Sequence, residues 1–163
     1  MLAVDGPSGA GKTTIAADLV AALRAAGTTV VDVPTDHFAT WADPVSWWPR
    51  LVACVLTPLR EGRPGAYQRM DWSSGTPRPG AWVDVPVPDV LVVEGMSAGR
   101  CSVRDCLTLL TWVDLPDPER RLARAVARDG ERYRAELAAW QRFERGWFAV
   151  DRTEAAADIH VIG

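Results

Sequence analysis

The sequence predicts an α/β fold built on a parallel sheet, and three stretches predict it. Leu2–Asp5 is a short apolar run that passes through a glycine-rich loop into a helix-forming segment. Thr28–Val33, TTVVDV, is rich in β-branched residues and follows that helix, so the unit is strand–loop–helix–strand and its strands should lie parallel. Val90–Glu94, VLVVE, is a continuous apolar run ending in an acid before Gly95, the pattern of a strand buried on both faces. A chain of 163 residues favours one domain, 1–163, large enough for a substantial core.

The loop after the first strand, Gly6-Pro7-Ser8-Gly9-Ala10-Gly11-Lys12-Thr13, fits G-x-x-x-x-G-K-[ST] in the strand–loop–helix context that makes the pattern specific for phosphate. Gly6, Gly9 and Gly11 let backbone N–H groups close on an anion where a Cβ would intrude. The helix starting near Lys12 adds its own unpaired N–H groups. Gly6, Ser8, Gly9, Ala10, Gly11, Lys12, Thr13 and Thr14 are the candidate nucleotide-binding residues. Lys12 is also the only lysine among 18 basic residues. A chain that otherwise uses arginine thus places its one compact, flexible ammonium where a planar guanidinium would not fit between phosphates.

Ile15, Leu19 and Leu23 give the first helix an apolar face, and Gly27 is its stop. After the second strand comes Pro34-Thr35-Asp36-His37-Phe38. Ligands of open parallel sheets lie beyond the carboxyl ends of the strands, so Asp36 and the phosphate loop should open onto one crevice. Asp36 is the candidate base, with a capping or solvated aspartate as the competing reading. Val45–Glu61 carries Trp47, Trp48, Leu51, Val52, Val55, Leu56 and Leu59 and reads as an apolar-faced helix weakened toward its end by Pro58. Its tryptophans read as core or crevice wall. From about 62 to 89 the chain is rich in proline and glycine without strong periodicity, which predicts a lid or acceptor-site insertion; Tyr67, Arg69, Asp71, Trp72 and Arg78 are its chemically useful residues, each also explicable as loop packing or surface charge.

Glu94 leaves the third strand at the same edge as Asp36 and is a candidate for holding a magnesium-bound water, a capping glutamate being the alternative. Leu107–Asp114 supplies a fourth strand, and Asp117-Pro118-Glu119 opens a helix with an acidic cap and proline at its first position. Arg120, Arg121, Arg124 and Arg128 crowd that helix, Arg132 and Arg134 follow, and Arg124 and Arg128 share a face. This density predicts phosphates facing a lid at about 124–134, against the plainer reading of a solvated face. Glu136–Val150 is a further helix with Trp140, Phe143, Trp147 and Phe148 inward, and Ala157–Ile162 closes as a fifth strand.

The 48% hydrophobic and 24% charged composition marks a globular chain, and its net charge of −3 gives no global attraction to nucleic acid. Three cysteines without a C-x-x-C pair and two histidines argue for reduced structural thiols and against a His-rich metal site. No leader-like segment precedes Leu2, and no apolar run approaches the ~20 residues of a membrane helix. The expectation is a cytoplasmic protein without nucleic-acid or membrane partners.

GPSGAGKTT, TDHF, MDW, VVEG and RLARAVARDG together resemble the P-loop kinases related to uridine kinase, over nearly the whole chain. They are similar to that family's phosphate loop, D-x-F-Y segment, Y-D-F/W segment, third-strand acid and R-x-x-x-R-D lid. The resemblance implies a three-layer P-loop NTPase fold with a five-stranded parallel sheet, order 2-3-1-4-5, and an arginine-rich lid. It implies ATP as donor, magnesium as cofactor, Asp36 as base, Thr13 as a direct magnesium ligand and Glu94 as a water-mediated one. Lys12, Arg124 and Arg128 would be the catalytic cations, and Phe38, Tyr67, Asp71 and Arg78 the acceptor-binding candidates. Ala39 and Met70 stand where the family has tyrosines, both toward the acceptor, whose identity is left open. The expected activity is transfer of the ATP γ-phosphate to a hydroxyl of a small molecule, a nucleoside first. A sugar, antibiotic or vitamin precursor as acceptor, or a non-catalytic nucleotide switch, are the alternatives.

Overall fold

The computed structural model describes residues 1–163. In chain order it contains β1 (Leu2–Asp5), α1 (Lys12–Ala25), β2 (Val30–Pro34), α2 (Trp48–Leu51), α3 (Thr57–Arg60), β3 (Gly65–Asp71), β4 (Arg78–Val85), β5 (Val90–Glu94), β6 (Leu109–Asp114), α4 (Pro118–Asp129), α5 (Arg134–Asp151) and β7 (Ile159–Ile162). Five strands make one parallel sheet in the order β2-β5-β1-β6-β7, while β3 and β4 form a separate antiparallel hairpin. Counted among the sheet strands alone this is the order 2-3-1-4-5, and with the hairpin strands counted it becomes 2-5-1-6-7. The segment 62–89, read as irregular, folds as a hairpin whose two strands enter the count between the second and third strands of the sheet. Its proline and glycine content hid a ladder that needs only one buried edge: Tyr67 and Val85 enter the core while Trp82 is left 68% exposed.

Side chains alternate across the sheet, and each face has its own core. Val4, Val30, Val92 and Val113 pack with Ala16 and Val20 of α1 on one side. Ala3, Val33, Leu91, Val93 and Leu110 pack on the other with Trp47, Trp48, Leu51, Val55 and Trp140. The predicted helix over 45–61 is shorter and broken in kind. α2 and α3 are joined by a π-helical turn at Val52–Leu56, next to Pro58, which has no N–H with which to continue an α-ladder.

α4 begins as predicted, with the Asp117 side chain accepting from Glu119 N–H and Arg120 N–H. α5 turns Leu137, Trp140, Gln141 and Glu144 inward, a spacing that defines one helical face. Phe143, expected inward, lies off that face and is 39% exposed. Register places the site. Val4 of β1 and Pro34 of β2 both stand opposite Glu94 of β5, so three neighbouring strands end at one level.

Candidate active site

Because β2, β5 and β1 are adjacent, the turns after them crowd one sheet edge. The phosphate loop, the short 3-10 turn Thr35–His37 and the turn after Glu94 share a cleft of about 790 Å³. α4 and the start of α5 close its other side with Arg124, Arg128, Arg132, Tyr133 and Trp140.

The loop is shaped for an anion. Gly6 and Gly9 have φ of +144° and +80°, and a Cβ on them would run into the backbone carbonyls of Val113 and Arg121. The residue before α1 is Gly11, no side chain caps the helix and no acid lies in its first turn; the N–H groups of Lys12 and Thr13 stay free for a ligand, while that of Thr14 donates to the Gly11 carbonyl. Lys12 is 9% exposed, and its Nζ donates to the Pro7 carbonyl at 3.0 Å. A buried ammonium holding one backbone acceptor keeps further donors for phosphate oxygens.

Asp5, fully buried under the loop, ties it to the turn after β5. Its Oδ1 accepts from Gly6 N–H (2.7 Å) and Ser97 N–H (3.1 Å), and its Oδ2 from Gly99 N–H (2.8 Å). Burial outweighs those bonds and the nearby Lys12 charge, pushing the Asp5 pKa up to about 7. Such an acid opposes folding once ionised. The unfolded chain releases the proton from its ordinary 3.8 upward while the fold retains it to about 7, so stability falls as pH rises between those values. Asp5→Asn is expected to remove up to about 1.4 kcal/mol per pH unit of that slope, read by urea unfolding across the range. An unchanged slope would show that the three N–H donors hold the ionised form.

Glu94 is buried, and burial first, then Asp36, raises its pKa, while Lys12 and Thr13 act to lower it. The Thr13 hydroxyl lies 3.4 Å from Glu94 Oε1. No cluster of three or more His, Cys, Asp or Glu residues could hold a metal ion by itself. A hydroxyl and a carboxylate side by side do fit a magnesium ion that arrives with nucleotide phosphates and keeps most of its waters.

Asp36 lines the cleft, and its backbone carbonyl accepts from Trp72 Nε1 of the hairpin at 2.9 Å. Arg128 forms a two-bond pair with Asp129 (2.7 and 2.7 Å), which raises its pKa, and the Asp36 and Glu94 charges add to that rise. Arg124 reaches back over Gly11.

The acceptor-side residues named from sequence fare differently. Phe38 and Tyr67 stack on each other in the core, and Asp71 and Arg78 are exposed on the hairpin; none of the four lines the cleft. Tyr67 works one step behind it, its hydroxyl 2.8 Å from His37 Nδ1. Burial, then Arg69, holds the His37 pKa below its ordinary value. The wall itself is His37, Trp41, Trp72, Tyr133 and Trp140, with Trp41 meeting Trp72 and Trp140 edge-on at 5.0 and 5.9 Å.

Sequence reasoning missed Asp5 and Glu144. Both carried a signal: Asp5 is a charge closing an apolar strand, and Glu144 a charge on the inward face of an aromatic helix. Glu144 is 1% exposed, and burial pushes its pKa up while Lys12, Ser8 and Trp140 pull it back.

No protein-family model matches the chain, and no curated protein matches it significantly. Solved structures do. A possible uridine kinase from Bacillus stearothermophilus superposes with a TM-score of 0.70 at 19% identity, over 98% of this chain and 86% of that one. A candidate fructose transport system kinase from Silicibacter sp. TM1040 gives 0.60 at 20% identity, over 99% of this chain and 88% of that one. At these identities the likeness is one of fold: the parallel α/β sheet and its helices are arranged as in those two structures.

Proposed function

We propose that this protein is an ATP- and magnesium-dependent kinase that moves the ATP γ-phosphate to a hydroxyl of a small molecule, a nucleoside first. The observation that carries this reading is the placement of Asp36 in the same cleft as Lys12, Thr13 and Glu94. Transfer of this kind asks mainly for positioning and charge neutralisation. The Asp36 carboxylate would take the proton of the acceptor hydroxyl as its oxygen bonds to the γ-phosphorus and the bond to the departing ADP oxygen breaks. Lys12 and the loop N–H groups would neutralise the phosphates. Magnesium, held by Thr13 and through water by Glu94, would supply further neutralisation of phosphate charge.

Residues 124–134 would act as the lid of a single domain, and 62–89 as its acceptor-side insertion. For Arg128 this requires exchanging Asp129 for phosphate oxygens. Arg124→Ala and Arg128→Ala are each expected to lower turnover roughly a hundredfold with the melting temperature nearly unchanged, because exposed arginines add little stability. Parallel losses of stability and turnover would mark them as structural ion-pair partners.

The wall favours a flat acceptor. The indole N–H groups of Trp41, Trp72 and Trp140 are spent on the Gly75 carbonyl, the Asp36 carbonyl and Glu144, so these rings offer π surface and no donor. A nucleobase suits that surface. A sugar is the second reading, supported by the fructose-named structural neighbour. ADP release measured with nucleosides and with free sugars decides between them. Stimulation above the water-only rate by nucleosides supports the first reading and by sugars alone the second. No stimulation by any hydroxylated acceptor turns the reading to a nucleotide-binding switch.

A further inference from the structure

Glu144 does not line the cleft, yet it holds two of its walls. Its Oε1 accepts from the Ser8 backbone N–H (3.0 Å), the Ser8 hydroxyl and the Trp140 indole N–H (2.9 Å), and its Oε2 lies 3.1 Å from the same Ser8 nitrogen. Ser8 and Trp140 both face the cleft, whereas Glu144 lies with Pro7 on a separate recess behind the loop. The carboxylate therefore supports the loop from outside and does not compete for the phosphate position.

A carboxylate only accepts, and its oxygens can serve several donors at once; a glutamine amide keeps one acceptor oxygen and turns an NH2 toward the rest. Burying a charge is tolerable where hydrogen bonds and a counter-charge meet it, here Ser8, Trp140 and the ammonium of Lys12. Helical spacing puts Trp140 one turn before Glu144 on the same face, so one side-chain oxygen joins the phosphate loop to the acceptor wall.

We propose that Glu144 is a positioning residue that couples the two halves of the cleft, fixing the Ser8 peptide in the phosphate loop and the Trp140 ring on the acceptor wall through one shared oxygen. Displacement of Ser8 when phosphate enters then reaches Trp140 directly. Turnover and the magnesium-ADP response rest on the kinase reading, whereas the ligand-free measurements test the coupling without it.

The test uses the full chain labelled with ¹⁵N, the Trp140 indole resonance being assigned with Trp140→Phe. Without any ligand, Ser8→Ala should move the Trp140 indole resonance, and Glu144→Gln should speed exchange of the Ser8 amide at least about tenfold. With magnesium-ADP as probe, the Trp140 indole should shift in the wild type and stay still in Glu144→Gln, whose nucleotide binding is followed separately by calorimetry. In turnover, Ser8→Ala and Glu144→Gln should be non-additive, the double variant losing little more than the worse single one. An indole resonance unmoved by Ser8→Ala, or additive losses, would overturn the coupling. If Glu144→Gln does not fold, Trp140→Phe takes its place and should change Ser8 amide exchange; unchanged exchange overturns the proposal equally. If no acceptor is ever phosphorylated, the ligand-free measurements still decide the coupling, and the kinase reading alone fails.

Discussion

Lys12→Ala is expected to lower phosphoryl transfer by about a thousandfold or more, and Lys12→Arg to fail nearly as badly despite keeping the charge. Lys12 is held below the loop with its Nζ on the Pro7 carbonyl, and Asp5, Glu94 and Glu144 all feel its charge. A guanidinium is larger and planar, and Lys12 is buried, with its Nζ on the Pro7 carbonyl. Under the proposed function, loss of the ammonium would remove a phosphate contact, and it leaves three buried acids with less to hold their ionised forms. ADP release and nucleotide calorimetry measure the two losses separately. Near wild-type turnover by Lys12→Arg would show that any cation suffices there, and that the single lysine of this chain carries no meaning beyond its motif.

Asp36→Asn should separate chemistry from binding. Asp36 lines the cleft from the turn after β2, not from the glycine-rich loop, and under the proposed function it serves the acceptor. Transfer should fall roughly a hundredfold or more, the scale of losing a general base, while magnesium-ATP affinity stays within about a few-fold. Glu94→Gln should differ in kind, part of its loss appearing as a raised magnesium requirement, because its oxygen faces the Thr13 hydroxyl and not the acceptor. Normal transfer by Asp36→Asn, or nucleotide affinity lost as badly as transfer, would remove Asp36 from the role of base.

The glycine-rich loop was legible because its determinants are local. A phosphate loop is one continuous segment, and the glycines, the lysine and the helix start can all be read within Gly6–Thr14. Asp36 and Glu94 were legible for a related reason: each closes a strand, and parallel strands deliver their ends to one edge. The aromatic wall of the cleft was legible only at Trp72, in the segment read as an insertion. Phe38 and Tyr67 looked like ligand contacts from their neighbours in sequence, but hydrophobic burial took both into the core. The ring surface at the cleft comes from Trp41, Trp72, Tyr133 and Trp140, which separate segments of the chain contribute.

The sequence by itself therefore determined the α/β class, the parallel sheet, the glycine-rich loop before the first helix and the sheet edge at which Asp36 and Glu94 meet it. These come from periodicity, strand–helix alternation and backbone stereochemistry, which act over a few residues at a time. Only the tertiary structure decided that 62–89 is a hairpin, that Trp41, Trp72 and Trp140 line one cleft, and that Asp5 and Glu144 brace the loop. Ser8 and Glu144 are 136 positions apart, and their hydrogen bonds exist because α5 packs its inward face against the sheet beside the loop. No local propensity encodes such a pairing: it is fixed by which apolar faces must be buried together, and the polar groups carried on those faces then find their partners.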